Sequence, residues 1–301
     1  MSSPREIKLW SALPTPLHAD LSVDDAAVAR TITASIAGGM TGVFLAGTCG
    51  EGPWLPEREK ERLIRTAKAT AGDRLKLAAQ VSDNSVPRVL DNISRVAAAG
   101  ADIAVMASPA TFMNATPDRV VALFTDVVNA SALPMSIYDL GAHRPVMIPV
   151  ERLRDVYGLP NVVMVKDSSG DPARRAEAMA VRDTHPGLQL FNGDEFRCVE
   201  YLEAGYDGCM FGGAVAMMPQ LRQIVDLVAK GDGAAARLAD AEMRRVLFGI
   251  YGGKSIACWL TGLKHCLVQQ GLFESSASFF EYPLTAECRE FIETYAAESA
   301  A

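Results

Sequence analysis

The sequence has no Cys-x-x-Cys pair, and its four histidines (His18, His143, His185, His265) are dispersed. The six cysteines (Cys49, Cys198, Cys209, Cys258, Cys266, Cys288) are scattered, with no histidine at zinc spacing. Neither a disulfide framework nor a structural metal site is suggested, and most of these cysteines read as small core residues. No metal and no cofactor are expected. Basic residues are also in short supply, 29 Lys and Arg against 36 Asp and Glu, for a net charge of −7. Without a basic stripe to neutralise phosphates, a nucleic-acid partner is excluded. No apolar run approaches the roughly 20 residues that a membrane helix needs, and Met1 to Pro4 lead into an amphipathic segment without an apolar signal core. A cytoplasmic address and no membrane association are expected. Finally, no Gly-x-Gly-x-x-Gly loop follows the first strand, which argues against a dinucleotide-binding open sheet.

What is present is an ordinary globular composition, 49% hydrophobic and 22% charged, in 301 residues. Short β-rich runs alternate with longer helical patterns, the signature of β/α units around a parallel sheet. Strands are expected at 7–12, 42–46, 75–81, 103–107, 135–138, 162–166, 188–191 and 208–211. Helices are expected at 24–37, from about 56 to 71, and at 85–99, 117–129, 149–157, 172–184 and 195–203. The first three close on Gly38, Gly72 and Gly100, as helix C-termini prefer. Eight such units in succession predict a (β/α)₈ TIM barrel over residues 1–228. Beyond it, over residues 229–301, three helical stretches (233–249, 254–270 and 284–297) predict a C-terminal helical appendage.

Active sites of such barrels lie at the C-terminal ends of the strands, and three of those ends carry unusual chemistry. Val162-Val163-Met164-Val165 reads as a strand buried on both faces, and it stops at Lys166 before the small polar turn Asp167-Ser168-Ser169-Gly170-Asp171. Packing gives no reason for a lysine there. A desolvated wall disfavours an ammonium and favours the free amine, which can attack a carbonyl. The second strand runs into Gly47-Thr48-Cys49-Gly50-Glu51, whose glycines let backbone N–H groups turn inward toward a carboxylate. The fifth ends in Tyr138, a phenol able to donate or accept a proton. An amine, a phenol and an anion-binding turn on one face suit a 2-oxo acid: imine at the ketone, carboxylate in the turn, proton transfer through the phenol.

These residues resemble the dihydrodipicolinate synthase and N-acetylneuraminate lyase family of class I, Schiff-base-forming aldolases. The resemblance runs through Ala12-Leu13-Pro14-Thr15-Pro16, the Gly47–Glu51 loop, Tyr138, Val165 to Asp171 and Asn192-Gly193-Asp194. It implies Lys166 as the imine-forming lysine, Tyr138 as the acid/base, and Thr48 as its proton relay. The N–H groups of Thr48 and Cys49, with Gly47, would hold the carboxylate, and Met210 and Phe211 would line the pocket. It also implies a homotetramer made of two dimers. Two departures bear on substrate. His143 stands where the synthases place a carboxylate-gripping arginine, with Arg144 one step late, so either residue is a candidate substrate contact. The segment Ser108-Pro109-Ala110-Thr111-Phe112-Met113-Asn114 lacks the paired tyrosines of the synthases. Both argue against the lysine-pathway synthase and leave the imine chemistry intact. Trp54 and Phe112 are expected near an otherwise apolar pocket, and Gly212-Gly213 raises the further reading of a phosphate loop. The expected activity is carbon–carbon lyase chemistry on a 2-oxo acid such as pyruvate. The alternatives are a hydro-lyase acting on a 2-keto-3-deoxy sugar acid by the same imine, and a catalytically silent 2-oxo acid binding protein.

Overall fold

The computed structural model describes residues 6–300. Eight parallel strands close into a barrel in chain order: β1 Lys8–Ala12, β2 Gly42–Leu45, β3 Lys76–Gln80, β4 Ile103–Ala107, β5 Met135–Asp139, β6 Val162–Asp167, β7 Gln189–Asn192 and β8 Gly208–Phe211. The last pairs with the first, Trp10 opposite Met210. The helices between them are α1 Asp25–Ala37, α2 Glu57–Ala71, α3 Val86–Ala99, α4 Pro117–Ala130, α5 Leu153–Tyr157, α6 Pro172–Thr184 and α7 Cys198–Ala204. The expected (β/α)₈ TIM barrel with C-terminal helices is what the chain forms.

Local chemistry sets the helix ends. The Asp24 carboxylate accepts from the Ala27 N–H at the start of α1, which satisfies one of the donors a helix leaves unpaired at its N-terminus. Gly100 closes α3 in the left-handed conformation at φ +106°, which an L-residue with a Cβ adopts only under strain. An eighth barrel helix, α8 (Met218–Ala229), follows β8. It has no counterpart among the expected helices because Gly212-Gly213 and a 3₁₀ turn over Gly213–Ala216 separate it from its strand. Its buried Leu221, Ile224 and Val225 nevertheless keep helical spacing. The appended helices are α9 Gly233–Ile250, α10 Trp259–Gln269 and α11 Ala286–Ala300. α10 begins later than expected because Gly252, Gly253 and Ile256 all take positive φ and interrupt the helical backbone.

Two apolar layers result from strand alternation. Trp10, Phe44, Ala78, Val105, Tyr138, Met164, Phe191 and Met210, one from each strand, pack together inside the barrel. The alternate residues face outward, where Val43, Ile137, Val165, Leu190, Cys209 and Phe211 join a continuous cluster with the helices. Val246, Leu247 and Ile250 of α9 and Leu260 and Leu263 of α10 belong to that same cluster, so the appendage shares the barrel's outer core. No helix among the described residues is long and apolar enough to cross a membrane.

Candidate active site

The register of the sheet builds the site. Tyr138, Lys166 and Phe191 are aligned across β5, β6 and β7, and the parity of the inner layer points the first two into the barrel mouth. Lys166 is 4% exposed. Its Nζ lies 4.2 Å from the centroid of the Tyr138 ring and 5.0 Å from that of Phe44. Among the described residues no carboxylate pairs with it, so this amine is not tied up in an ion pair. Two π faces hold it in place. Phe44 in turn meets Tyr138 edge-on, with centroids 5.7 Å apart.

Glycine makes the space. A Cβ on Gly193 would stand 2.0 Å from Ser168 Oγ and 2.8 Å from Lys166 Cε. Gly193→Ala is therefore expected to displace the lysine and to cut turnover by about tenfold or more. The check is a steady-state assay beside a circular-dichroism melt: a variant as active as wild type would show that Lys166 tolerates the shift.

The β2–α2 loop supplies the opposite wall. Ala46 and Glu51 take positive φ, and the loop closes on itself through Glu51 N–H to Thr48 O (3.1 Å) and Gly52 N–H to Gly47 O (3.2 Å). Thr15 Oγ1 fastens it from β1's side by donating to Gly50 O at 2.6 Å. The N–H groups of Thr48 and Cys49 have no acceptor among the described residues, which leaves two adjacent donors for an anion. Thr48 Oγ1 lies 3.4 Å from Tyr138 Oη. Cys49 Sγ sits over the backbone of Gly212, where an added Cβ would come within 2.5 Å of it.

With this geometry in view, comparison with known proteins gives a consistent answer. The model of the dihydrodipicolinate synthetase family matches residues 6–288. The chain belongs to that family. It is 30% identical over 232 residues (77% of this chain, 75% of the relative) to a 4-hydroxy-tetrahydrodipicolinate synthase of Mycolicibacterium paratuberculosis. A protein of the same name from Listeria welshimeri is 28% identical over 266 residues, covering 88% of this chain and 89% of that one. Among solved structures, dihydrodipicolinate synthase from Bacteroides thetaiotaomicron superposes with a TM-score of 0.87 at 24% identity, over 99% of this chain and all of that one. YagE of E. coli K12, a prophage protein of the family solved in complex with pyruvate, superposes at 0.85 with 18% identity, over 97% and 98% of the two chains. The chain is thus an enzyme of the lyase type.

Measured against the family pattern, several residues fall elsewhere than expected. Met210 lies in the inner layer with Tyr138 and Met164. Phe211 does not: one residue further along β8 it faces the helices and is buried in the outer cluster. Strand parity, invisible until the register is known, is the reason. His143 is exposed and Arg144 half-buried, on a 3₁₀ turn after β5 (Gly141–His143). Neither side chain has a hydrogen bond or ion pair among the described residues. Trp54, 48% exposed, packs edge-on against Phe280, and Phe112 lies beneath the Arg119 guanidinium. The phosphate reading of Gly212-Gly213 fails because the Gly213 N–H already donates to Glu195 Oε2 at 2.8 Å.

Glu195 carries no local sequence signal, yet its carboxylate is tied to both the β8 end and the appendage. Tyr251 of the appendage donates to its Oε1 at 2.6 Å, and burial raises its carboxyl above the ordinary glutamate range, the Lys166 charge opposing. Burial, then Glu195, push the Cys49 thiol up to about 12. Cys49 stays a neutral thiol through pH 9, so at pH 8 iodoacetamide is expected to label it far more slowly than a free cysteine. Peptide mass mapping over a time course checks this, and rapid labelling would show a thiolate.

Two buried carboxylates, Asp139 and Asp167, stand at the ends of β5 and β6. Arg174 grips Asp139 through two bonds of 2.7 and 2.9 Å, and Tyr157 also donates to Asp139 at 2.5 Å. Asp167 accepts from Tyr206 at 2.8 Å and from Ser169. Both carboxylates directly follow a residue of the inner face, so they fix the ends from which Tyr138 and Lys166 project.

Proposed function

We propose that this enzyme is a class I, imine-forming lyase acting on pyruvate or a 2-oxo acid that contains it. The observation that carries the reading is the buried, unpaired Lys166 amine against the Tyr138 ring, opposite the unengaged N–H groups of Thr48 and Cys49. The pyruvate complex of YagE supports it by analogy of fold. Lys166 Nζ attacks the ketone carbon, one amine proton moves to the oxygen, Tyr138 supplies the second proton with which that oxygen leaves as water, and a protonated imine forms. In the cleavage direction Tyr138, with Thr48 as relay, takes the proton of the hydroxyl on the carbon beyond the breaking bond. That carbon departs as an aldehyde, and the bond's electron pair is held as an enamine. Reprotonation and hydrolysis release pyruvate and return the amine. The N–H groups of Thr48 and Cys49 hold the carboxylate throughout.

Glu195 favours a second reading. A carboxyl within electrostatic reach of Lys166 and Cys49 can assist a departing hydroxyl, which makes the enzyme a hydro-lyase on a 2-keto-3-deoxy sugar acid through the same imine. The absence of tyrosine from Ser108 to Asn114 and the exposed His143 speak for a second substrate other than that of the 4-hydroxy-tetrahydrodipicolinate synthases. Product analysis on a panel of 2-keto-3-deoxy acids decides: pyruvate plus an aldehyde for the lyase, a dehydrated 2-oxo acid for the hydro-lyase. Binding without either product identifies a catalytically silent binding protein. Assembly into a homotetramer of paired dimers belongs to the same proposal. Met113, 81% exposed on the β4–α4 loop, is an apolar side chain that such a contact covers, and sedimentation velocity measures the state.

A further inference from the structure

A cleft of about 800 Å³ opens between α9, the Gly252–Lys254 turn and the start of α11, outside the barrel mouth. Its volume falls within the range of small-molecule sites. Phe248 and Phe291 supply flat apolar surface, and Gly249, Gly252 and Gly253 leave it uncrowded by side chains. Arg244, Arg245 and Lys254 give its rim three cations, against the single acid Glu287.

The cations differ in how far they are engaged. Arg245 is committed to Glu242 by bonds of 2.9 and 2.7 Å. Arg244 faces Asp240 Oδ2 with its Nε at 3.4 Å, and its two terminal guanidinium nitrogens have no hydrogen bond among the described residues. Lys254 has no ion pair or hydrogen bond among the described residues. Terminal guanidinium nitrogens and an ammonium without acceptors, on the rim of a cleft that two phenylalanines also line, suit an anion with an apolar body. The geometry points to this cleft as a second binding site, for a small aromatic carboxylate whose ring lies between Phe248 and Phe291 and whose carboxylate meets Arg244 and Lys254.

The cleft is connected to the candidate active site. Phe248 stacks on Phe196 at 4.8 Å and 10°, next in sequence to Glu195, and Tyr251 between the cleft glycines holds the Glu195 carboxylate. A ligand against Phe248 therefore bears on the turn that positions Glu195, and its occupancy is an effector signal. This regulatory half rests on the role proposed above for Glu195; the binding site does not.

The test uses phenylacetate, which has no ketone for Lys166, titrated calorimetrically into the full-length chain. The result expected is one saturable site per chain. Binding is about tenfold weaker in the Arg244→Gln/Lys254→Gln double variant and about tenfold weaker for neutral 2-phenylethanol. It is lost in Ala241→Trp, where an exposed residue of the cleft wall is enlarged across it; both variants are expected to melt as wild type does. No saturable binding by wild type, or equal binding by both variants, overturns the site. Turnover on the substrate found above is then followed with phenylacetate present. A change of about twofold or more in wild type that is absent in Ala241→Trp supports the coupling, and unchanged turnover at saturating phenylacetate overturns it. If no 2-oxo acid turns over while phenylacetate still binds, the functional reading fails and the binding site stands.

Discussion

Lys166→Ala is expected to leave a folded barrel that no longer forms a covalent adduct with pyruvate under borohydride. Wild type treated the same way gains the mass of a reduced pyruvate imine at one residue per chain. The fold survives because Lys166 holds no ion pair: removing it orphans no buried carboxylate, the usual source of large losses when a buried charge is deleted. What remains is a small cavity between Tyr138, Phe44 and Gly193, at about 1 to 2 kcal/mol. Turnover, by contrast, falls by on the order of a thousandfold or more, since no neighbouring side chain offers an amine in the same place. Lys166→Arg separates charge from nucleophilicity: it keeps a cation over the Tyr138 ring and still gives no adduct. Intact-protein mass spectrometry reads both variants. An adduct on Lys166→Ala assigns the imine to another lysine, and no adduct on folded wild type removes pyruvate-imine chemistry from the proposal.

Lys166 was legible in the sequence because two local signals coincide there. A β-branched run fixes a buried strand, and the charge at its end has no packing explanation. The Gly47–Glu51 loop and Tyr138 are legible for the same reason, each being chemistry at the end of a recognisable strand. Phe211 shows where that reasoning stops. A buried aromatic next to Met210 looks like pocket lining until the register places one inside the barrel and the other under the helices. Glu195 shows a second limit. Its partner Tyr251 lies 56 residues away in a segment with no strand pattern, and nothing local marks either residue as paired. The helix α8 was hidden by a glycine pair that reads as loop, although its apolar spacing is regular.

The appended helices carry the second large effect. Glu51 ends the loop whose Thr48 meets Tyr138, and its side chain is fully buried together with that of Lys264 on α10. Lys264 Nζ donates to Glu51 Oε1 at 2.5 Å and to Ala277 O at 2.6 Å. Glu51 Oε2 accepts from Ser278 Oγ at 2.9 Å and from Phe279 N–H at 2.6 Å. Burial draws the Lys264 ammonium below the ordinary lysine range, with Glu51 opposing, so each charge is tolerated only because the other is present. Glu51→Gln and Lys264→Met are each expected to cost about 3 to 5 kcal/mol. The double variant costs less than the sum of the two, since it leaves no unpaired ion behind. Guanidinium denaturation of the three variants measures this, and additive losses would show that the pair is not coupled. A functional consequence distinguishes this pair from mere core packing. Glu51 holds the far end of the turn that begins at Gly47, so a variant that still folds is expected to raise KM for the 2-oxo acid more than it lowers kcat. Its pyruvate adduct under borohydride still forms on Lys166, more slowly. The helices beyond the barrel then act on the reaction without touching the substrate, by setting the turn that receives its carboxylate.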